Sequence, residues 1–171
     1  MQQNQIKMNL DRKQFLLKLQ LEIIILLITA IITFMVIYPI LNNFVKFGYL
    51  FSNIVFVVVF ITYSRLIFLL KYSLISHLQW MKFVLIFISI PLVFKLIEWI
   101  FNFQSFLQTE GLESYTSFFK PGLSDKTREA LLNYMKREFL FFGVAATISA
   151  IILPFRMLIS FWRVYNKTGK V

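Results

Sequence analysis

Four long apolar runs constrain the fold of this chain more than any other feature. They cover about residues 21–41, 49–70, 83–103 and 139–162. A helix needs roughly 17–25 apolar residues to cross a bilayer, and a membrane favours helices because they satisfy their own backbone hydrogen bonds. We therefore predict an all-α integral membrane protein. Residues 1–171 would form a single membrane domain with four transmembrane helices in one bundle.

The composition agrees with that class and excludes several kinds of site. Hydrophobic residues make up 58% of the chain, and 21 residues are Phe, whereas soluble domains average about 45–50% apolar. The chain has no Cys and a single histidine, His77. Disulfides, thiol chemistry and metal sites built on Cys or His clusters are therefore excluded within one chain. No phosphate-binding glycine loop is present either. We expect no cofactor, no metal and no enzymatic activity.

The basic residues indicate the partners of the chain and its orientation. The net charge is +10, which in a membrane protein indicates contact with anionic lipids more than with nucleic acid. Lys and Arg collect on the cytoplasmic side of membrane proteins. The side with both termini, including a basic N-terminal arm of residues 1–20, has nine: Lys7, Arg12, Lys13, Lys18, Lys71, Lys82, Arg163, Lys167 and Lys170. The other side has six: Lys46, Lys120, Lys126, Arg128, Lys136 and Arg137. This bias predicts cytoplasmic termini. The Phe-, Ile- and Lys-rich usage favours a bacterial inner membrane.

The longest segment outside the four runs is residues 104–137. Aromatic and apolar residues recur in its first half among polar ones, a pattern typical of a segment that lies in a membrane surface. Pro121-Gly122 predicts a turn, and Ser124 before Asp125 predicts a helix start. We expect the amphipathic helix that follows, residues 125–137, to continue without a break into the fourth span.

Two opposite charges, Lys95 and Glu98, interrupt the third run. Three residues apart, they share one helix face with Pro91 and Asn102. Because a charge at the centre of a lipid-exposed helix costs about 2.5–3.5 kcal/mol, we expect this face to point away from lipid, towards the other helices or a wet cavity. The pair either fixes helix packing and holds a partner subunit, or forms an ion or proton site.

Basic residues in the second and fourth runs form another candidate site. Arg65 and Arg156 fall at similar depths near the cytoplasmic ends of their spans, with Lys71 and Arg163 just below. A planar guanidinium matches a phosphate group well, so the four could form a pocket for a lipid headgroup or another anion. The alternative is that these long side chains reach to the interface individually, with Glu22 as a partner for one of them.

Small residues in the fourth run predict a packing surface. Gly143, Ala146, Thr147 and Ala150 follow a small-x-x-x-small pattern, which lets helix backbones approach closely in lipid. The pattern leaves open whether the helix that packs there belongs to the same chain or to a neighbour.

These features favour one function over two alternatives. The first hypothesis is a non-enzymatic membrane subunit that acts by helix–helix association, with membrane lipids and other membrane subunits or copies of itself as partners. The second is a homo-oligomeric ion channel or transporter with a path along the third span, past Lys95 and Glu98. The third is an intramembrane enzyme or a binder of an anionic lipid headgroup that uses Arg65 and Arg156.

Overall fold

The chain folds as an all-helical protein built on four long helices. The structure, a computed structural model, describes residues 2–76 and 78–167, and in that part it contains no strand. The helices are α1 (Gln2–Asn43), α2 (Leu50–Leu69), α3 (Gln79–Thr109) and α4 (Asp125–Lys167). Each is long and apolar enough to cross a membrane. The prediction of four such helices is confirmed.

The helix bounds extend the predicted spans at several ends. α1 begins at Gln2, so the backbone of the predicted N-terminal arm is continuous with the first span. α4 runs without interruption from the amphipathic segment into the fourth span, as predicted, and its 43 residues make it about 65 Å long at 1.5 Å per residue. Its start is the expected one, since the Ser124 hydroxyl accepts a hydrogen bond from the Thr127 amide at 3.3 Å.

α4 is the centre of the bundle and packs against α2 on one side and α3 on the other, while α1 lies mainly against α2. The buried face of α4 has residues spaced by three or four, the periodicity that keeps one stripe facing its neighbours. They are Leu132, Met135, Phe139, Gly143, Ala146, Ala150, Leu153 and Met157. The buried face of α3 repeats every seven residues, at Lys82, Ser89, Leu96 and Phe103.

Aromatic residues close the end of the bundle at which α1 joins α2. The segment after α3 forms a 3-10 helix, Leu112–Phe118, and its neighbour Phe119 stacks on Phe44 with ring centroids 4.3 Å apart. The Val45 amide donates to the Phe118 carbonyl at 2.7 Å, which joins the two loops. Tyr115 and Phe119 are buried. These two aromatic residues of the predicted surface-lying segment therefore pack into the chain's own core.

Candidate functional site

Lys95 and Glu98 form an ion pair on the outer surface of α3. The Lys95 ammonium lies 2.9 Å from each Glu98 carboxylate oxygen, and the two side chains are 51% and 53% exposed. The ammonium also lies 5.9 Å from the centroid of the Trp99 ring, within the range of a cation–π contact. The positive charge of Lys95 is therefore balanced by a carboxylate of the same helix, and these contacts involve no other helix of the bundle.

The expectation that this face turns towards the other helices of the chain is wrong. The face that turns inward is the seven-residue stripe that includes Leu96. At 100° per residue, the face shared by Lys95 and Glu98 lies roughly 130° around the helix from Leu96. Its other members, Pro91 and Asn102, are exposed as well. Nearby exposed side chains include Phe94 and Phe101, so the ion pair is set in an apolar surface.

Three of the four predicted pocket residues meet at the end of the bundle where α2 leads into α3. Lys71, Arg156 and Arg163 line one cleft of about 170 Å³ together with Ser76 and Ser160. Arg156 is held in place because its Nε donates to the Ile67 carbonyl at 2.9 Å. The cleft therefore brings three cationic groups and two hydroxyls to one opening.

Arg65, the fourth predicted pocket residue, does not line this cleft. Its guanidinium forms an ion pair with Glu22 of α1, which is the partner that the alternative interpretation named. The other Glu22 oxygen accepts from the Ser73 hydroxyl at 2.7 Å and from the Leu74 amide at 3.0 Å. Glu22 thus joins α1 to α2 and to the turn that follows α2.

Lys82 is a cation near the cleft that sequence analysis placed only at a membrane border. It is 1% exposed, and its ammonium donates to Gln79 Oε1 and Ser160 Oγ, both at 3.1 Å. In the described part of the chain its partners include no carboxylate. Lys82 lies seven residues before Ser89, on the buried stripe of α3, but the sequence alone does not show which face of α3 is buried.

Asn53 and Glu138 form a buried polar pair that sequence analysis also missed. Asn53 is fully buried and Glu138 is 6% exposed. The amide nitrogen of Asn53 donates to Glu138 Oε2 at 2.7 Å. Glu138 also lines a cleft of about 700 Å³, together with Val36, Asn133, Tyr134 and Arg137. The pair joins the first turn of α2 to the N-terminal third of α4.

The small residues of α4 pack within the chain, which answers the question that the sequence left open. Gly143, Ala146 and Ala150 are buried, and Thr147 is half-buried with its hydroxyl bonded to the Gly143 carbonyl at 2.8 Å. A Cβ at Gly143 would lie 3.0 Å from Ile100 Cγ1 of α3 and 3.2 Å from Phe56 of α2. Both partners of this face therefore belong to the same molecule.

His77 lies outside the described residues. Among the residues that are described, no three His, Cys, Asp or Glu side chains cluster in a way that could hold a metal ion.

Comparison with protein-family models, with curated proteins and with solved structures finds no match to this chain.

Proposed function

We propose that this chain is an integral membrane subunit that binds another membrane protein through the outer face of α3. All four helices would cross the bilayer, with both termini in the cytoplasm of a bacterial cell and the bundle in the inner membrane. The observation that carries the proposal is the Lys95–Glu98 ion pair, half-exposed on an apolar helix surface.

The apolar exterior supports placement in a bilayer. Large hydrophobic side chains are exposed along α1 and α3, with Leu26, Met35 and Phe94 each more than two-thirds exposed. Soluble monomers rarely expose a contiguous apolar patch larger than a few hundred Å². Acyl chains would cover such a surface without any cost in free energy.

Acyl chains do not suit the ion pair in the same way. A charge on a lipid-exposed helix is costly at the bilayer centre, and mutual neutralisation still leaves the polar atoms of Lys95 and Glu98 facing hydrocarbon. A partner helix with polar side chains at the same depth would satisfy those atoms. Interhelical hydrogen bonds of this kind, together with close packing, associate helices in membranes. We infer that the partner is a transmembrane helix with hydrogen-bonding side chains facing Pro91, Lys95, Glu98 and Asn102.

The contacts inside the chain restrict which surface can serve this role. The small-residue face of α4 is occupied by Phe56 and Ile100, so it is not free for a partner. The bundle interior is filled by side chains such as Phe56, Phe103 and Phe139, which are fully buried. A transport path through a single chain therefore has no support, and one along α3 would need several copies.

The test is the mass of the particle extracted from native membranes in a mild detergent or nanodisc. After subtraction of bound detergent and lipid, we expect the protein mass of this particle to exceed the 20.4 kDa of one chain, and we expect Lys95→Leu/Glu98→Leu to release the partner. The matched control is Lys126→Leu/Glu129→Leu, which makes the same substitutions at the same spacing on an exposed part of α4. A wild-type chain that stays alone would refute the proposal, as would a complex unaffected by the α3 double variant.

The cleft at the other end of the bundle favours a second candidate, binding of an anionic lipid headgroup. Lys71, Arg156 and Arg163 face one opening, and the buried Lys82 adds a fourth positive charge nearby. Within the described residues none of these four cations has a carboxylate within ion-pair distance. Basic pockets of this kind on the cytoplasmic side bind phosphorylated headgroups.

Retention of lipid through purification tests this second candidate. We expect anionic phospholipid to remain bound to the wild type and to be lost from Lys71→Gln/Arg163→Gln. The control, Lys136→Gln/Arg137→Gln, also removes one lysine and one arginine charge, but at the opposite end of the bundle. Equal retention of phospholipid by both double variants would show that the cleft does not bind the headgroup. Its basic side chains would then simply reach to the interface individually.

A further inference from the structure

The buried pair of Asn53 and Glu138 leaves two acceptor atoms without a donor. The Asn53 amide nitrogen reaches Glu138 Oε2 at 2.7 Å. Among the described residues, Asn53 Oδ1 and Glu138 Oε1 are buried and have no hydrogen-bond partner. Both orphaned atoms therefore belong to the same two side chains. An unpaired buried acceptor costs about 1–3 kcal/mol. We therefore expect the two oxygens to be paired by a group other than the protein's own heavy atoms.

No cation of the chain pairs with Glu138 in the described structure. Its cleft contains two other titratable groups, Tyr134, whose hydroxyl donates to the Val36 carbonyl of α1 at 2.7 Å, and Arg137, which is exposed. On α2, the residue that faces Glu138 is Asn53. α3 packs against the next residue of α4, Phe139, with Phe103 at a ring separation of 4.1 Å. A carboxylate in these surroundings would be a buried charge without a counter-ion.

A proton satisfies both orphaned atoms at once. A buried carboxyl without a counter-ion lowers its free energy by taking up a proton. A protonated carboxyl has one O–H donor and one carbonyl acceptor, and a primary amide has N–H donors and one carbonyl acceptor. Two such groups can form a cyclic pair, in which the amide N–H donates to one carboxyl oxygen as it does here. The carboxyl O–H then donates to the amide oxygen.

We propose that Glu138 is a proton-binding site in which the bound proton is shared with Asn53 Oδ1 and links α2 to α4. In this step a hydronium ion gives one proton to a carboxylate oxygen, so one O–H bond of hydronium breaks, the carboxyl O–H forms, and a water molecule is released. The cleft of about 700 Å³ that includes Glu138 gives the proton a route between the pair and the surroundings. This site does not depend on the partner proposed for α3.

The sign of the pH dependence follows from proton counting. With the proton held by the folded protein and released by the exposed carboxyl of the unfolded chain, the folded state binds more protons. Stability then falls as pH rises above the range in which an exposed glutamate titrates. The substitution Glu138→Gln replaces the O–H donor by an N–H donor that does not titrate, so this contribution to the pH dependence should vanish.

Infrared spectroscopy of the full chain in nanodiscs tests the site directly. We expect the carbonyl band of a protonated carboxyl at neutral pH, its loss in Glu138→Gln, and a shift of the band in Asn53→Leu, which removes the amide partner. Isotope-labelled glutamate should shift the band in the wild type, which assigns it to glutamate even if a variant fails to fold. Absence of a protonated glutamate band at neutral pH would overturn the proposal.

Thermal unfolding gives an independent readout. We expect the midpoint of Glu138→Gln to stay within about 4 °C of the wild type at neutral pH, a difference of roughly 1–2 kcal/mol in a chain of this size. A much lower midpoint would indicate that the anion, and not the acid, is the native form. A wild-type midpoint that rises when sodium replaces choline, with no rise in Glu138→Gln, would assign the site to a metal cation and overturn the proposal.

Discussion

Lys82 and Lys95 lie on the same helix, but their charges have different surroundings. Lys82 is buried and bonds to neutral oxygens of Gln79 and Ser160. Lys95 is half-exposed and pairs with Glu98 on its own helix. The difference arises because Lys82 falls on the seven-residue stripe that faces α4, whereas Lys95 lies on the outer side of α3. Position around the helix axis therefore decides what each charge contacts.

Glu22 provides a test of this reasoning at a single residue. Glu22→Ala would remove the partner of the mostly buried Arg65 and the acceptor for Ser73 and Leu74. Loss of one partner from a buried ion pair costs about 3–5 kcal/mol, so we expect the thermal unfolding midpoint in detergent to fall markedly. Glu22→Leu/Arg65→Leu removes both charges and should recover much of the loss.

The control for this prediction is Glu129→Ala, a substitution at an exposed position of α4, where changes usually stay within about 0.5 kcal/mol. An equal effect of Glu22→Ala and Glu129→Ala would contradict the structural role of Glu22.

At the scale of the helices, the sequence predicts their number, order and approximate length but not the face that each turns inward. The apolar runs and the Ser124 start signal are local features, and the structure confirms them. The inward face is not local information. The exposed and the buried residues of these helices are both largely apolar, so the contrast that orients a helix in a soluble protein is weak here. For that reason the orientation of α3 was predicted incorrectly.

The sites were only partly predictable for the same reason, because their residues come together through contacts between helices whose inward faces the sequence does not give. Lys71, Arg156 and Arg163 were predicted together because antiparallel spans bring residues of equal depth to one end of the bundle. Arg65 has the right depth but faces Glu22. Asn53 and Glu138 come from distant parts of the chain, and only their helix orientations bring the two side chains within hydrogen-bonding distance.

Gly143 tests the packing of α4 between α2 and α3. Gly143→Val would place side-chain atoms where Ile100 and Phe56 already lie. Overpacking of this kind typically costs about 1–3 kcal/mol, and we expect a lower unfolding midpoint. Val144→Leu adds volume at the exposed neighbouring position and should leave the midpoint nearly unchanged. The double variant Gly143→Val/Ile100→Ala should lower the unfolding midpoint less than Gly143→Val alone. Equal midpoints for Gly143→Val and Val144→Leu would show that α4 does not pack this closely.

At the scale of the whole molecule, the two ends of the bundle differ in chemistry. The end where α2 leads into α3 presents the basic cleft of Lys71, Arg156 and Arg163. The end where α1 leads into α2 is closed by aromatic rings and holds the Glu138 cleft. If all four helices cross the bilayer as we propose, both termini lie on one side of it, and the excess of Lys and Arg on that side is the reason that we propose the cytoplasm.

The absence of native Cys makes this orientation straightforward to test. Tyr72→Cys and Lys120→Cys each introduce one thiol at an exposed position, at opposite ends of the bundle. In spheroplasts, where the outer surface of the inner membrane is accessible, we expect an impermeant maleimide to label Lys120→Cys. Tyr72→Cys should react only after permeabilisation. The reverse pattern would invert the proposed orientation, and labelling of neither position in spheroplasts would contradict a four-span arrangement.

The most direct test of the central claim is photo-crosslinking from the outer face of α3 in native membranes. A photoreactive residue at Asn102, on the face of Lys95 and Glu98, should give a discrete protein adduct if another transmembrane helix covers that face, as we propose. The same group at Leu26, exposed on α1, provides the comparison for a surface that needs only acyl chains. Lipid adducts alone from Asn102 would contradict the claim that a protein partner covers the ion pair.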